Sequence, residues 1–118
     1  MTGFGLLGHL KEMCENSDVS SKINFQDLLF LDGAKELAMS GIMPGGTKRN
    51  LKSVEKVVSF SDHLSDIEQL LSADAQTSGG LLISMPMKDA KSYVKKVNNR
   101  TAIIGQITEK KPYLIKVH

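Results

Sequence analysis

The spacing of apolar positions changes period several times along this chain, and each change marks an element. Leu6, Leu10 and Met13 recur at helical spacing, with Leu7 and Cys14 beside them. Thr2 is placed to cap that helix, whose first turn contains Gly3 and Gly5. Each glycine inside a helix disfavours it by about 1 kcal/mol relative to alanine. Gly3, Gly5 and Gly8 together therefore point to another element approaching closely, and the opening residues read as an internal motif of a longer chain. Residues 16–21 are a polar turn. Residues 19–24 predict a strand with Val19, Ser21 and Ile23 on one side, whereas residues 25–31 fit neither period. Residues 32–40 predict a helix with Leu31, Ala34, Leu37 and Ala38 inward and Gly41 ending it.

Residues 42–47 form a loop by composition. Asn50 then caps a short helical piece running toward Val54, Val57 and Val58. Ser65 with Glu68 three positions on is a capping-box signature for a helix over 66–71. Residues 72–80 are irregular, and residues 81–85 are strongly apolar and predict a strand ended by Pro86. Met87–Val97 predicts a helix with Ala90, Tyr93, Val94 and Val97 inward, its lysines mostly elsewhere. Residues 102–108 and 113–117 predict two more strands, separated by a turn at Pro112. The strand–helix–strand run over 81–108 reads as a crossover unit. The pattern predicts an α+β domain: three α/β/α layers around a mixed, mainly antiparallel sheet of about four strands, partly ferredoxin-like.

Composition narrows the class. The chain has 118 residues, 41% of them hydrophobic and 24% charged, which fits one small domain with its own core. No apolar run approaches the roughly 20 residues of a membrane span. No basic start followed by an apolar stretch marks a signal peptide. The single cysteine, Cys14, excludes an internal disulfide, and a cytoplasmic setting is expected. The net charge of +2 is uneven: residues 1–84 carry 7 basic and 11 acidic groups, residues 85–118 carry 8 and 2. A basic third suits an anionic partner. With two tyrosines and no tryptophan, however, a stacking surface for nucleic acid is poorly supplied, and no nucleic-acid partner is expected.

Candidate chemistry is confined to three glycine-containing stretches. Gly3-x-Gly5-x-x-Gly8 matches a dinucleotide-binding spacing, but no strand precedes it. Close packing and a helix N-terminus facing a phosphate both remain open for it. Gly45-Gly46-Thr47-Lys48-Arg49-Asn50 suits either an anion nest or a surface turn. Gln76-Thr77-Ser78-Gly79-Gly80 suits phosphate recognition or a tight approach to a strand, with Asp74 orienting the loop, holding a cation or capping its own turn. No nucleophile–base pair and no metal-ligand spacing can be assigned. Cys14 reads as an inert core thiol, and of His9, His63 and His118 only His9 lies within a motif.

These stretches carry a resemblance. Thr2-Gly3-Phe4-Gly5-Leu6-Leu7-Gly8-His9-Leu10 resembles the segment opening the C-terminal domain of the selenophosphate synthetase family. Pro44-Gly45-Gly46-Thr47 with Arg49-Asn50 resembles a second family motif, and Gln76-Thr77-Ser78-Gly79-Gly80-Leu81-Leu82-Ile83 a third, in the family's order. Ser72-Ala73-Asp74-Ala75 departs from the Cys-Asp-Pro usual before the glutamine; Asp74 keeps the acidic position. The family is similar to aminoimidazole ribonucleotide synthetase.

The resemblance implies one C-terminal domain over 1–118, part of an enzyme that turns selenide, ATP and water into selenophosphate, AMP and phosphate. It implies ATP and magnesium as cofactors of the whole enzyme, none held tightly here, and homodimerisation. The family's N-terminal ATP-binding domain and its reactive cysteine and lysine are expected outside this stretch. So is the magnesium-binding aspartate that precedes the Thr-Gly-Phe-Gly motif. Thr2, Gly3, Gly5, Gln76, Thr77, Ser78, Gly79 and Gly80 are the expected cofactor-adjacent or interface residues; no catalytic or metal-ligating residue is assigned. A noncatalytic interaction domain and another enzyme of the aminoimidazole ribonucleotide synthetase type are the alternatives.

Overall fold

The computed structural model describes residues 1–97 and 100–118. Its elements follow the order α1 (Gly5–Ser17), β1 (Ser20–Ile23), a 3-10 turn (Phe25–Asp27), α2 (Ala34–Met39), α3 (Gly45–Val54), β2 (Val58–Phe60), α4 (Asp66–Ser72), α5 (Met87–Val97), β3 (Gly105–Thr108) and β4 (Ile115–Val117). The strands form one open sheet in the order β2-β4-β1-β3. The α+β class and the mixed four-stranded sheet are those expected. The β1–β3 ladder is antiparallel, while β1–β4 and β2–β4 are parallel, so only the first carries the pairing expected to dominate.

Register decides which face is buried. Cross-strand partners share a face. Ser21 and Ile23 therefore lie with Ile115 and Val117, and these with Val58 and Phe60. Ile23, Ile115 and Val117 join Leu7, Leu10 and Cys14 of α1, Ala38 of α2, Val54 of α3 and Leu71 of α4 in one core. The opposite face carries a polar row, Ser59–Lys116–Lys22–Gln106, in which the Lys116 ammonium donates to Ser59 Oγ at 3.2 Å.

Several expectations shift. Thr2 does not cap α1. The helix starts at Gly5 behind Phe4, without a side-chain cap. Its buried face is Leu7, Leu10 and Cys14, with Leu6 and Met13 half-buried: a rotation by one position from the face expected. Residues 45–47 are helical rather than loop, because Thr47 is buried and anchors the first turn of α3. Asn50 accordingly lies inside α3 and caps nothing. Val58–Phe60 is a strand where none was expected. Its β-branched and aromatic residues fit a pleated surface better than a helix. α2 buries Ala38 alone, leaving Leu31 and Leu37 exposed. Gly41 does end α2 in the left-handed region, φ 78°, where glycine is at no disadvantage.

The largest correction concerns residues 81–85, which pair with no strand. Leu82 packs on the core while Leu81 and Ile83 face out, so the alternation of a strand is present without a ladder. Just before it, the backbone is tied to the chain start instead: Gly79 N–H donates to the Met1 carbonyl at 3.2 Å, and the Met1 ammonium donates to the Gly80 carbonyl. The crossover expected over 81–108 is therefore not formed. α5 has the expected bounds, yet Ala90, Tyr93, Val94 and Val97 are not buried. β3 occupies only the second half of 102–108, because its partner β1 ends at Ile23, opposite Gly105. β4 likewise occupies only the last three residues of 113–117.

Candidate functional site

The three glycine-containing stretches, far apart in sequence, meet at the N-terminal end of α1. The Thr2 carbonyl is the first hub: it accepts the N–H of Gly5 at 3.0 Å and of Gln76 at 3.1 Å. Gly5 takes φ 68°, a left-handed conformation that favours glycine. A Cβ there would lie 2.5 Å from the Asp74 carbonyl oxygen and 2.9 Å from that of Ala73. This is the close approach that the glycines announce, and it belongs to Gly5. Gly3 and Gly80 have open space around them, and Gly8 faces the Phe4 Cβ at 3.0 Å.

α3 supplies the second hub. Residues three apart on a helix share a face, so Thr47 and Asn50 act on the same side. The buried Thr47 hydroxyl donates to Asp74 Oδ1 at 2.9 Å and accepts the Ala75 N–H at 3.3 Å. The Asn50 amide donates to the Gly3 carbonyl at 2.7 Å and to the Ala73 carbonyl at 3.1 Å. One side chain thereby joins all three stretches. Gln76 Nε2 donates to Asp74 Oδ2 at 2.6 Å. Asp74 thus orients its own loop, as one of the sequence alternatives had it. Gly46 completes the contact: a Cβ on it would meet the Ala75 Cβ at 3.2 Å.

Of the residues singled out from sequence, Thr2, Gly5, Gln76, Gly79 and Gly80 are brought together through main-chain groups, and Gly3 through the Asn50 side chain. Thr77 and Ser78 belong to the same loop and are exposed. Thr47 and Asn50 were not assigned to this site by sequence; their three-residue spacing beside the glycine pair was the available signal. Two open grooves lie along α3. One of about 600 Å³ runs between α3, α4 and the edge strand β2, with Leu51, Val58, Phe60 and Leu70 as apolar floor and Lys48, Lys52, Glu55 and Asp66 among its charged lining. A second of about 300 Å³ adjoins the start of α3 at Pro44 and Gly45. Cys14 is a free thiol buried in the core.

Comparison with known proteins identifies the arrangement. The family described as AIR synthase related protein, C-terminal domain, matches residues 1–117. The chain belongs to that family. It is similar to the selenide, water dikinase of Aliarcobacter butzleri, 42% identical over 111 residues, covering 91% of this chain and 32% of the relative. The selenide, water dikinase of Campylobacter jejuni is 43% identical over 113 residues, with 93% and 32% covered. That of Clostridium botulinum is 39% identical over 121 residues, with 98% and 35% covered. The chain spans about a third of the length of these curated relatives.

The family resemblance raises magnesium, and the junction offers a poor donor set for it. Its carboxylate, Asp74, has one oxygen bonded to Thr47 and the other to Gln76. Among the described residues no group of three or more His, Cys, Asp or Glu is placed to hold a metal ion. Magnesium is bound through oxygen donors, chiefly carboxylates and phosphates, in near-octahedral geometry. These side chains do not form such a cage by themselves.

Proposed function

We propose that this domain belongs to an ATP-dependent selenide, water dikinase, and that its three-stretch junction is the surface it presents to the ATP-binding part of that enzyme. The observation that carries this reading is Asn50, whose amide ties the first stretch to the third from within the second. With the Gln76 N–H held by the Thr2 carbonyl, the three stretches that resemble the same family are held together. Phosphoryl transfer depends on positioning and charge neutralisation more than on covalent chemistry by the protein. A domain with fixed loops and no nucleophile–base pair is suited to positioning. In this reading Thr77 and Ser78, exposed on the held loop, are the polar groups available to the nucleotide side. The whole enzyme acts on selenide, ATP and water, is a cytoplasmic homodimer, and makes selenophosphate, AMP and phosphate.

The test supplies the ATP-binding region of the Aliarcobacter butzleri relative, unlabelled, to this chain labelled with nitrogen-15. Amide shifts concentrated at residues 3–9 and 76–80 are expected. Binding confined to the lysine-bearing side of α5 overturns the reading. Incubation of the chain alone with selenide, ATP and magnesium, followed by phosphorus NMR, is expected to give no selenophosphate.

A further inference from the structure

The second turn of α1 reaches back to the residue on which the junction hangs. The Thr2 N–H donates to His9 Nε2 at 3.2 Å, and Thr2 Oγ1 lies 2.9 Å from the same nitrogen. A backbone N–H can only donate, so Nε2 must present its lone pair. In a neutral imidazole the proton is then on Nδ1, which lies 3.4 Å from Glu12 Oε2 one turn along the helix. The Thr2 N–H and the Thr2 hydroxyl then share the one lone pair of Nε2 as donors, and the Nδ1 side of the ring faces Glu12. The Phe4 ring meets the imidazole nearly at right angles, centroids 6.1 Å apart, and restrains its rotation. Beyond Thr2 the effect passes to the loop, because the Thr2 carbonyl holds the N–H of Gln76.

We propose that His9, as the neutral Nδ1–H tautomer, is the positioning residue of the junction, fixing residues 76–80 through Thr2. Its acceptor nitrogen is the element that matters. Glutamine can bring its terminal group to about the place of Nε2, asparagine only to that of Nδ1, and phenylalanine keeps the ring without an acceptor. The inference deepens the function proposed above by naming what regulates the set of that site, and rests on that reading for its link to dikinase chemistry.

The experiment uses this chain alone, so failure of the dikinase reading leaves its outcome untouched. Imidazole nitrogen-15 resonances report the tautomer directly, and amide hydrogen exchange reports the Gln76 bond. The expected tautomer carries the proton on Nδ1. His9→Asn and His9→Phe are expected to speed Gln76 exchange by about tenfold, the scale of one net hydrogen bond. His9→Gln is expected to hold it within about twofold on the same scale. Amides of the β1–β4 ladder serve as the folding control. Should a variant fail to fold, the tautomer of the unaltered chain and His9→Gln still decide. A proton on Nε2, or equal Gln76 exchange in all folded variants, overturns the proposal.

Discussion

Residues 72–80 and residues 81–97 are neighbours in sequence and opposites in structure. The first segment is polar, contains two glycines and has no helix or strand after Ser72, yet Asp74, Ala75, Gln76 and Gly79 each find hydrogen-bond partners from α3 or the chain start. The second has apolar residues at strand and then helix spacing, yet α5 buries none of its residues and Leu81 is 84% exposed. Local periodicity tells a segment which shape to take. It does not supply the partner, and burial depends on the partner. The polar loop has one, because Thr47, Asn50 and Thr2 each present a donor or acceptor to its backbone.

The sharpest way to break the contrast is to disturb the loop through the residue it packs on. Gly5→Ala forces a Cβ into two backbone carbonyls at a left-handed φ. Unlike a side-chain clash, this one has no flexible end to give way. Strain at such positions together with steric overlap predicts a loss of about 3 kcal/mol or more in urea unfolding. Gly3→Ala, with open space around it, is expected to stay within about 0.5 kcal/mol. Equal losses for the two would mean that the approach of 73–74 does not decide the cost at this end of α1.

Thr47→Val tests the same loop with nearly unchanged shape. It removes the hydroxyl that serves Asp74 and the Ala75 N–H while keeping side-chain volume. Leaving buried polar groups without a partner predicts a loss of about 1–3 kcal/mol. Chemical-shift changes should centre on 74–76. Changes confined to α3 would show that Asn50 and Thr2 hold the loop without the Thr47 hydroxyl.

The chemistry of these two hubs explains how much the sequence could tell. α4 was legible almost to the residue, because a capping box is local: Ser65 and Glu68 sit three apart and bond each other. The bounds of α5 were legible because Pro86 stops the preceding segment and the apolar spacing after it is helical. β2 and the start of α3 were not, since Val58–Phe60 becomes a strand only beside Ile115–Val117, and the glycines at 45–46 become helical only because Thr47 is anchored to Asp74. Family resemblance pointed to Thr2, Gly5 and Gln76. Asn50 was legible as a helix cap and as part of the second motif, but not as the joint between stretches, because its two acceptors lie 47 and 23 residues away.

The cap of α4 supplies a smaller and pH-dependent effect. Hydrogen bonds from the Ser65 backbone N–H and then from its hydroxyl hold the Glu68 carboxyl below the usual glutamate range. A depressed folded-state value contributes stability above the unfolded-state value and loses it as pH falls through the folded one. Ser65→Ala is therefore expected to cost about 1 kcal/mol near neutral pH, as for other N-caps. The difference from the unaltered chain should shrink as pH drops below the glutamate range. A difference that stays constant in acid would place the effect in helix propensity instead of the carboxylate.

The smallest effect is expected where the sequence is most apolar. Leu81→Ser and Ile83→Ser alter residues that face outward, while Leu82 between them packs on the core. A large side chain contributes through the apolar area it removes from water, about 25 cal/mol per Å². An exposed leucine removes little, so Leu81→Ser should change unfolding free energy by no more than about 0.5 kcal/mol, and Ile83→Ser, at a position only 46% exposed, by somewhat more. Leu7→Ala, at a fully buried position, should lose about 2–5 kcal/mol by the same measurement. The pair also separates stability from association. If a second surface covers Leu81 and Ile83, Leu81→Ser will weaken that association in sedimentation while leaving urea unfolding of the chain alone nearly unchanged. A loss of about 2 kcal/mol or more in unfolding, the range of a buried leucine, would show that residues 81–85 are sheathed within the domain itself.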